Sequence, residues 1–418
     1  MKEELNNIIK KLEKNNQEEI INLIKNVYSD EENEKIANQI EKIDLEKVMQ
    51  LYNNATNVPI VEEKKIEHIR YTNLSSLNKE DFNKYKEIGE KIIKSNRYAV
   101  ITMAGGQGTR LGHKGPKGTY KINTINGEKY LFEVIVDSLK RAENKYGVTI
   151  PWYIMTSEDN NDQTVSFLDE HNYFGYNREK VKFFKQGKVP MVKTDGNIVI
   201  DKNKLIKEAS DGNGSIYKSL KRSGMLESMK QNSIEWVFVG GVDNILLRII
   251  DPIMVGLTVE ENNLIASKSV VKRNPKERVG VFCKLDGVPK VIEYTELPEN
   301  MAEEVDKDGQ LQFGEVNILS HLFNIKALDK LANIELPYHT AFKKSDYINE
   351  NGELVEVSEP NAYKFESFIF DGFSLFDDMS ILRVKREEEF APIKNKEGSD
   401  SPETAVNLYN EYNKKYSI

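Results

Sequence analysis

The sequence predicts an α/β fold built on a mixed, mostly parallel sheet and preceded by a layer of helices. Two features indicate this. From about residue 95, short runs of β-branched and aromatic residues alternate with longer segments of helical periodicity. Over residues 1–94, apolar residues recur at helical spacing among Lys, Glu and Asn, as at Ile36, Ile40 and Ile43. We therefore divide the chain into an N-terminal helical region (1–94), an α/β domain (95–393) and a short C-terminal segment (394–418).

The elements of the α/β domain are predicted in the following order. The first strand covers Tyr98–Met103, and a helix at Leu131–Lys145 ends before Gly147. Further strands are predicted at 151–156, 181–187 and 236–239, and apolar runs at 264–271, 279–285 and 365–370 continue the series. Polar residues follow several of these strands. Because ligands of doubly wound sheets bind beyond the carboxyl ends of the strands, we expect these polar residues to line one cleft.

A glycine-rich loop follows the first predicted strand. It has glycines at 105, 106, 108 and 112, and Arg110, Lys114 and Lys117 place three positive charges within eight residues. Consecutive glycines let backbone N–H groups converge on phosphate oxygens, so the loop predicts a phosphate site. Leu111 stands where a dinucleotide fingerprint has its third glycine, which disfavours the alternative of a nicotinamide-dependent oxidoreductase.

Composition limits the partners of the protein. The chain has 59 basic and 67 acidic residues, a formal net charge of −8, which argues against a general nucleic-acid or anionic-membrane binder. Its single cysteine, Cys283, lies in an apolar run, which predicts a buried thiol and a reducing compartment. The sequence has neither an apolar signal region near residue 1 nor a window approaching about 18 apolar residues. We therefore expect a cytoplasmic protein with no nucleic-acid or membrane partner.

Two motifs resemble the signature of a known enzyme family. The stretch from Met103 to Gly112, Met-Ala-Gly-Gly-Gln-Gly-Thr-Arg-Leu-Gly, together with Pro116-Lys-Gly118, resembles the nucleotide-sugar pyrophosphorylases, in particular the UDP-N-acetylhexosamine pyrophosphorylases. The resemblance extends from about residue 95 to about residue 405. It implies a Rossmann-like, GT-A-like nucleotidyltransferase fold with 95–393 as the catalytic domain. It also implies that 394–418 is a short remnant of the further C-terminal domain that several members carry.

The resemblance assigns roles in phosphate chemistry. Arg110, Lys117 and Lys394 would be the catalytic cations, and Asp243 would help to hold Mg²⁺, the one cofactor implied. The residues implied to bind the nucleotide are Ala104, Gly105, Gly106, Gln186, Gly212 and Asp243, with Gln186 against the uracil. No separate catalytic base is required, because a sugar 1-phosphate with a second pKa of about 6 is mostly dianionic at neutral pH.

The resemblance also indicates the sugar. Asn213, Glu293 and Asn317 match the family's sugar-binding positions, and Asn213 stands where UDP-glucose pyrophosphorylases typically have a histidine. The sequence thus predicts that UTP and N-acetylhexosamine 1-phosphate, most simply N-acetylglucosamine 1-phosphate, form UDP-N-acetylhexosamine and pyrophosphate. Glucose or galactose 1-phosphate is the alternative substrate, and a catalytically silent nucleotide-sugar sensor is a further alternative. A monomer or weak homo-oligomer is expected.

Overall fold

A computed structural model describes residues 2–57 and 65–416. The chain divides into two compact units. The helical unit comprises Met1–Glu63, Gly187–Ser215 and Leu336–Phe368, and the sheet unit comprises Lys64–Gln186, Ile216–Glu335 and Ile369–Ile418. The predicted boundaries at 94 and 393 do not coincide with these units. The prediction followed changes in residue composition along the chain, whereas the units reflect packing between segments that are distant in sequence.

A mixed sheet forms the centre of the sheet unit. Its strands, in spatial order, are Thr72–Asn73, Ser380–Arg383, Ile265–Val271, Glu315–Asn324, Trp236–Gly241, Tyr98–Met103, Trp152–Thr156 and Val181–Lys185. All neighbours along this order are parallel except that Glu315–Asn324 runs antiparallel to both of its neighbours. Ile66–His68, Val281–Leu285 and Val288–Ile292 extend the sheet from the antiparallel strand. The predicted mixed, mostly parallel sheet is confirmed.

The central strands are buried because helices flank the sheet. Every residue of Tyr98–Met103 and of Trp236–Gly241 is buried, which explains their nearly unbroken apolar sequences. The α-helices of this unit are Lys79–Lys94, Leu131–Tyr146, Asn161–Glu170, Ile216–Arg222, Met225–Gln231, Pro252–Glu260, Glu299–Ala302, Ile325–Ala332, Arg386–Glu389 and Pro402–Tyr416. The helix from Leu131 ends at Gly147, whose φ of 69° places it in the left-handed region, as predicted.

Three features differ from, or complete, the predicted series of elements. The apolar run 365–370 is not a strand: Ala362–Glu366 is a strand of the helical unit, and Ile369–Leu375 is a 3₁₀ segment of the sheet unit. The antiparallel strand Glu315–Asn324 was not predicted, because buried polar residues such as Ser320 and His321 interrupt its apolar pattern. A hairpin of Lys121–Thr124 and Gly127–Tyr130 follows the glycine-rich loop.

The helical unit has its own apolar core. Its helices are Lys2–Lys14, Glu18–Asn22, the π-helical turn Leu23–Val27, Asp30–Lys42 and Leu45–Thr56. Its strands are Lys188–Pro190, Val192–Lys193, Glu208–Ser210, His339–Lys343, Tyr347–Ile348, Leu354–Val355 and Ala362–Glu366. Leu12, Ile20, Ile36 and Ile40 are fully buried in one cluster with side chains of the strands, such as Phe365. The predicted amphipathic helices are therefore present over this region.

The burial of Cys283 and the length of the helices bear on two expectations that were drawn from composition. Cys283 is buried, and burial raises the pKa of its thiol to about 12, so it is a poor nucleophile. Among the residues that the structure describes, no helix combines the length and the apolar character that a membrane span needs.

Candidate active site

The glycine-rich loop leaves the sheet at the carboxyl end of Tyr98–Met103. The backbone N–H of Ala104 donates to the carbonyl of Met155 on the next strand at 2.8 Å. The fully buried Asn160 donates from Nδ2 to the Ala104 carbonyl at 2.9 Å and accepts from the N–H of Ser157 at 2.8 Å. Asn160 thus joins two successive strand ends. Sequence reasoning did not identify it, since an asparagine after a strand usually forms a turn.

Gly105 and Gln186 lie in direct contact. A Cβ atom at Gly105 would lie 2.7 Å from the side-chain amide carbon and oxygen of Gln186, so only glycine leaves the amide in its place. The N–H of Gln186 donates to the carbonyl of Thr156 at 2.8 Å, which fixes its backbone at a strand end. A Cβ at Gly106 would meet no atom within 4 Å among the described residues. The Gly105–Gly106 backbone therefore has a side-chain amide on one side and open space on the other.

The second half of the loop folds back on the first. The N–H of Lys117 donates to the carbonyl of Gly106 at 3.1 Å, and the N–H of Gly108 donates to that of Gly115 at 3.0 Å. A Cβ at Gly118 would approach the ring of Phe132 to 2.2 Å, so glycine permits this close packing. The fold-back holds Lys117 beside the open face of Gly106. Leu111 is buried in a single 3₁₀ turn, Thr109–Leu111, in place of the helix that follows a dinucleotide fingerprint.

Lys117 forms an ion pair with Asp243. The Nζ atom lies 3.1 Å from Oδ2, and the two side chains are 17% and 25% exposed. Asp243 follows the strand Trp236–Gly241, and its Oδ1 is 2.7 Å from the position that a Cβ at Gly241 would take. The pair therefore joins the loop to the neighbouring strand end in a partly desolvated setting. Arg110 is exposed on the same loop.

Residues 389–393 run alongside Asp243. The carbonyl of Asp243 accepts from the N–H of Ile393 at 2.9 Å. The Asn244 side chain donates to the Glu389 carbonyl and accepts from the N–H of Ala391, both at 2.8 Å. These bonds end one residue before Lys394, whose side chain is 47% exposed and whose Nζ lies 3.9 Å from Oδ2 of Asp400. The predicted cation Lys394 is thereby attached to the segment that borders Asp243.

A buried ionic cluster anchors this segment. Nζ of the fully buried Lys268 lies 2.5 Å from Oε2 of Glu389 and 2.6 Å from Oδ2 of Asp251. Burial tends to raise the pKa of Asp251, but the charges of Lys268 and Arg248 outweigh it and hold that pKa below its usual value. Asp251 also caps the helix Pro252–Glu260, so its role is structural. Lys268 and Glu389 were not identified from the sequence, since they lie far apart in the chain.

Asn317 and Glu293 meet at Gly280. The N–H of Asn317 donates to the carbonyl of Gly280 at 3.0 Å, and a Cβ at Gly280 would lie 3.0 Å from Oε1 of Glu293. The Asn317 side chain accepts from the N–H of Leu319 at 3.0 Å, and Leu319 packs against Gly241. Since Gly241 ends the strand before Asp243, these sugar-site candidates lie at the same edge of the sheet as the glycine-rich loop.

Gly212 and Asn213 belong to the helical unit. Gly212 has a φ of 87°, and a Cβ there would lie 2.2 Å from the Ser367 carbonyl, so this turn requires glycine. The same carbonyl accepts from the N–H of Gly214 at 2.9 Å. Ser215 donates its hydroxyl to the Gly212 carbonyl at 2.9 Å and thereby braces the turn. The ten other candidate residues belong to the sheet unit.

Comparison with known proteins identifies the family. The family model described as UTP–glucose-1-phosphate uridylyltransferase matches residues 9–416. The chain belongs to this family. Over 77% of its length it is 39% identical to the human UDP-N-acetylhexosamine pyrophosphorylase-like protein 1, of which it covers 66%. Over 79% of its length it is 37% identical to the Saccharomyces cerevisiae UDP-N-acetylglucosamine pyrophosphorylase, of which it covers 72%.

A solved structure agrees with this assignment. The structure is that of the uridine diphosphate N-acetylglucosamine pyrophosphorylase from Trypanosoma brucei in complex with an inhibitor. The match covers 97% of this chain and 84% of the Trypanosoma brucei chain, with a TM-score of 0.80 and 28% sequence identity. The family resemblance and the nucleotidyltransferase fold that it implies are thus confirmed. The chain spans just under two thirds of the human relative and of the mouse and Xenopus tropicalis proteins of the same name, at 66%, 64% and 66% of their lengths.

The residues at this site limit how it could hold a metal ion. Among the described residues, no group of three or more His, Cys, Asp and Glu side chains forms a metal site. Asp243 is the carboxylate beside the glycine-rich loop, and it is paired with Lys117. One carboxylate fits Mg²⁺ held mainly by substrate phosphates and water, which is how this ion is commonly bound in phosphoryl transfer.

Proposed function

We propose that this member of the family is a uridylyltransferase that forms UDP-N-acetylhexosamine, chiefly UDP-N-acetylglucosamine, and pyrophosphate from UTP and the corresponding sugar 1-phosphate. The observation that carries the proposal is the Lys117–Asp243 pair beside the open backbone of Gly106. A cation, a carboxylate and the backbone N–H groups of a glycine-rich loop at one strand edge are the parts that nucleotidyl transfer needs. The names of the human and yeast relatives support the acetylated sugar.

In the proposed reaction the chain positions two anions and neutralises their charge. In the loop that begins at Ala104, the backbone of Gly105 and Gly106 receives the UTP phosphates, and Arg110 and Lys117 stabilise charge on the α-phosphate and the departing pyrophosphate. The sugar-phosphate oxygen attacks the α-phosphorus in line as the bond to pyrophosphate breaks. Holding two reactants in attack geometry supplies roughly 7–11 kcal/mol, so positioning carries much of the catalysis. Lys394 covers the phosphates from the segment beside Asp243.

The proposed cofactor is Mg²⁺. Asp243 would be the one carboxylate ligand that the protein supplies to the ion. When bound, the ion would neutralise phosphate charge. Because Lys117 already lies 3.1 Å from this carboxylate, we expect it to turn toward the phosphates when substrates and metal are present. The Asp243 carboxylate would then pair with Mg²⁺ in place of the Lys117 ammonium, so its negative charge would stay compensated.

Recognition of the two substrates is assigned to different residues. Gln186, held against Gly105, reads the donor and acceptor edge of uracil through its amide, and Gly212 contributes backbone contact to the nucleotide. Asn213, Glu293 and Asn317 bind the sugar hydroxyls and the N-acetyl group. The second candidate substrate is glucose 1-phosphate, which the description of the matching family names. The predicted cytoplasmic location and the monomer or weak homo-oligomer stay predictions.

The proposal is tested by the stoichiometry of the reaction. Purified protein with UTP, N-acetylglucosamine 1-phosphate and Mg²⁺ should release one pyrophosphate for each UDP-N-acetylglucosamine formed, as measured by an enzyme-coupled assay and by chromatography. Omitting Mg²⁺ or adding a chelator should abolish release. Product formation without pyrophosphate, or no turnover with any sugar 1-phosphate and UTP, would reject the proposal and favour a nucleotide-sugar sensor.

A further inference from the structure

A basic cavity in the sheet unit is lined by none of the candidate active-site residues. Its volume is about 790 Å³, and it opens where the parallel strands Ile265–Val271 and Ser380–Arg383 end. The basic residues that line it are Lys272, Arg273, Arg383, Lys385 and Arg386, against the acidic Glu303 and Glu387. None of the residues assigned to the nucleotide or the sugar lines it. A local excess of positive charge is notable in a chain whose net charge is −8.

Lys272 is the unusual member of this cavity. It is 4% exposed, and its ammonium makes neither a hydrogen bond nor an ion pair with any residue in 2–57 or 65–416. Its backbone N–H donates to the Gly314 carbonyl at 2.9 Å, which fixes the start of its side chain at the strand end. Burial lowers the pKa of Lys272, and the carboxylate of Glu277 opposes this effect. Nζ is not among the buried side-chain atoms that lack a partner, so the ammonium reaches the cavity, where a bound anion would give it one.

The neighbouring charges do not balance. Arg386 donates from Nη2 to Oε2 of Glu277 at 3.0 Å, and Nε of Arg273 lies 3.9 Å from Oε1 of the same carboxylate. The side chains of Arg386 and Glu277 are only 15% and 13% exposed. Three cations, Lys272 included, therefore lie near the Glu277 carboxylate, and the acidic residues of the cavity lining itself are Glu303 and Glu387. Arg383 adds nothing to this excess, because it donates from Nε to Oε1 of Glu315 at 2.9 Å.

We propose that this cavity binds a small phosphate-type oxyanion, with Lys272 as its central contact and Arg273 and Arg386 at its sides. An ammonium contributes a compact charge, and guanidinium groups contribute paired donors that match the oxygens of phosphate. Such an anion would supply the negative charge that Glu277 alone does not provide. This inference does not depend on the proposed function, since the cavity and the candidate active site have no lining residue in common.

Calorimetric titration with inorganic phosphate tests the inference. The titrations use the Lys117→Ala protein, which weakens the candidate active site by one cation, so the further change on replacing Lys272 reports on the cavity. In this background Lys272→Met should weaken phosphate binding at least about tenfold, because a charge-assisted contact is lost. Lys385→Met is the matched control: it lines the same cavity, but its side chain is 48% exposed and is paired with Glu388. It should change the affinity less than about threefold.

Thermal melting provides the second readout. In phosphate-free buffer Lys272→Met should melt at or above the temperature of the Lys117→Ala protein, because the substitution removes one cation from a cluster of like charges at a residue that is 4% exposed. Added phosphate should raise the melting temperature of the parent more than that of the variant. If Lys272→Met does not fold, Arg273→Gln should still weaken phosphate binding. Equal affinity in the parent and the folded Lys272→Met protein, or no phosphate binding by the parent, would overturn the proposal.

Discussion

Lys117 and Asp243, 126 positions apart in the chain, form an ion pair with 3.1 Å between Nζ and Oδ2. The pair connects the glycine-rich loop to the neighbouring strand end, where phosphate chemistry is proposed. Partial burial makes each charge depend on the other, and substrates would supply new partners to both. The Lys117–Asp243 ion pair thus contributes both to holding the glycine-rich loop in place and to the phosphate chemistry proposed there.

Replacing Lys117 by alanine should lower kcat by about 10²- to 10³-fold, the usual effect of removing one charge-stabilising group from an active site. The circular dichroism spectrum should stay that of the parent, since Lys117 is only partly buried. Lys114→Ala, which removes an exposed cation from the same loop, is the control and should retain most activity. Pyrophosphate release under saturating substrates measures both variants. Equal rates for the two variants would show that local charge, and not the Lys117 position, matters.

A methyl group at Gly105 should act through Gln186. The added Cβ would lie 2.7 Å from the end of the Gln186 side chain, which is flexible, so Gly105→Ala should fold and displace the amide. We expect KM for UTP to rise about tenfold, the effect of a lost hydrogen-bonding partner. The check is a double substitution: Gly105→Ala combined with Gln186→Ala should be no worse than either alone. Additive losses would indicate that Gly105 matters for another reason.

The buried Lys268–Glu389 pair should position Lys394 through residues 389–393. Glu389→Gln removes one charge from a 2.5 Å contact and loosens the segment beside Asp243. A small displacement of a catalytic group can cost up to about a hundredfold, so we expect kcat to fall between about 10- and 100-fold while KM changes little.

A double-mutant cycle separates this positioning effect from general destabilisation. If Glu389 acts through Lys394, Glu389→Gln should lower kcat in the parent but not in the Lys394→Ala protein. Melting temperatures of all four proteins control for loss of folded enzyme. A Glu389→Gln effect of equal size in both backgrounds would show that the ionic cluster contributes only to stability.

Stability should fall in mild acid because of His321. This side chain is fully buried with Nδ1 2.7 Å from the Ser267 hydroxyl, and burial lowers its pKa to about 3. Between pH 6.5 and 3 the unfolded chain binds a proton that the folded protein does not, so the free energy of unfolding decreases as pH falls through this range. At pH 5.5 the cost is about 1.4 kcal/mol relative to neutral pH.

Urea denaturation at pH 7.5 and pH 5.5 measures this effect. The parent should lose about 1.4 kcal/mol more between the two pH values than His321→Gln, in which the titrating group is absent. For each protein the measured quantity is the difference in the free energy of unfolding between the two pH values, so a difference in absolute stability between parent and variant does not affect the comparison. Identical pH dependence in the two proteins would contradict the assignment.

The sequence predicted those features that depend on local pattern. The strand Tyr98–Met103, the helix ending at Gly147 and the glycine-rich loop were identified because their residues are contiguous. The family motifs also indicated Asp243 and Asn317, which lie at the same edge of the sheet as the loop in the structure. The two-unit division was not predicted, because 187–215 and 336–368 join the helical unit only through packing.

Buried polar partners were the main features that the sequence did not predict. Asn160 and Lys268 carry no local signal, and their roles depend on neighbours brought together by the sheet. The strand Glu315–Asn324 was missed for a related reason, since its buried His321 is hydrogen-bonded through Nδ1 to Ser267 on the adjacent strand. Such residues look polar and exposed in the sequence until their partners are known.

The most direct test of the proposed activity is the ratio of kcat/KM for N-acetylglucosamine 1-phosphate to that for glucose 1-phosphate, with UTP and Mg²⁺ held constant. N-acetylgalactosamine 1-phosphate and galactose 1-phosphate form the matching epimer pair. We predict that each N-acetylated sugar 1-phosphate is preferred over the corresponding non-acetylated sugar 1-phosphate by at least about tenfold. The side-chain amides of Asn213 and Asn317 can hydrogen-bond to the N-acetyl group, and a sugar without this group leaves them without that partner. A ratio of one or below would contradict the proposed substrate.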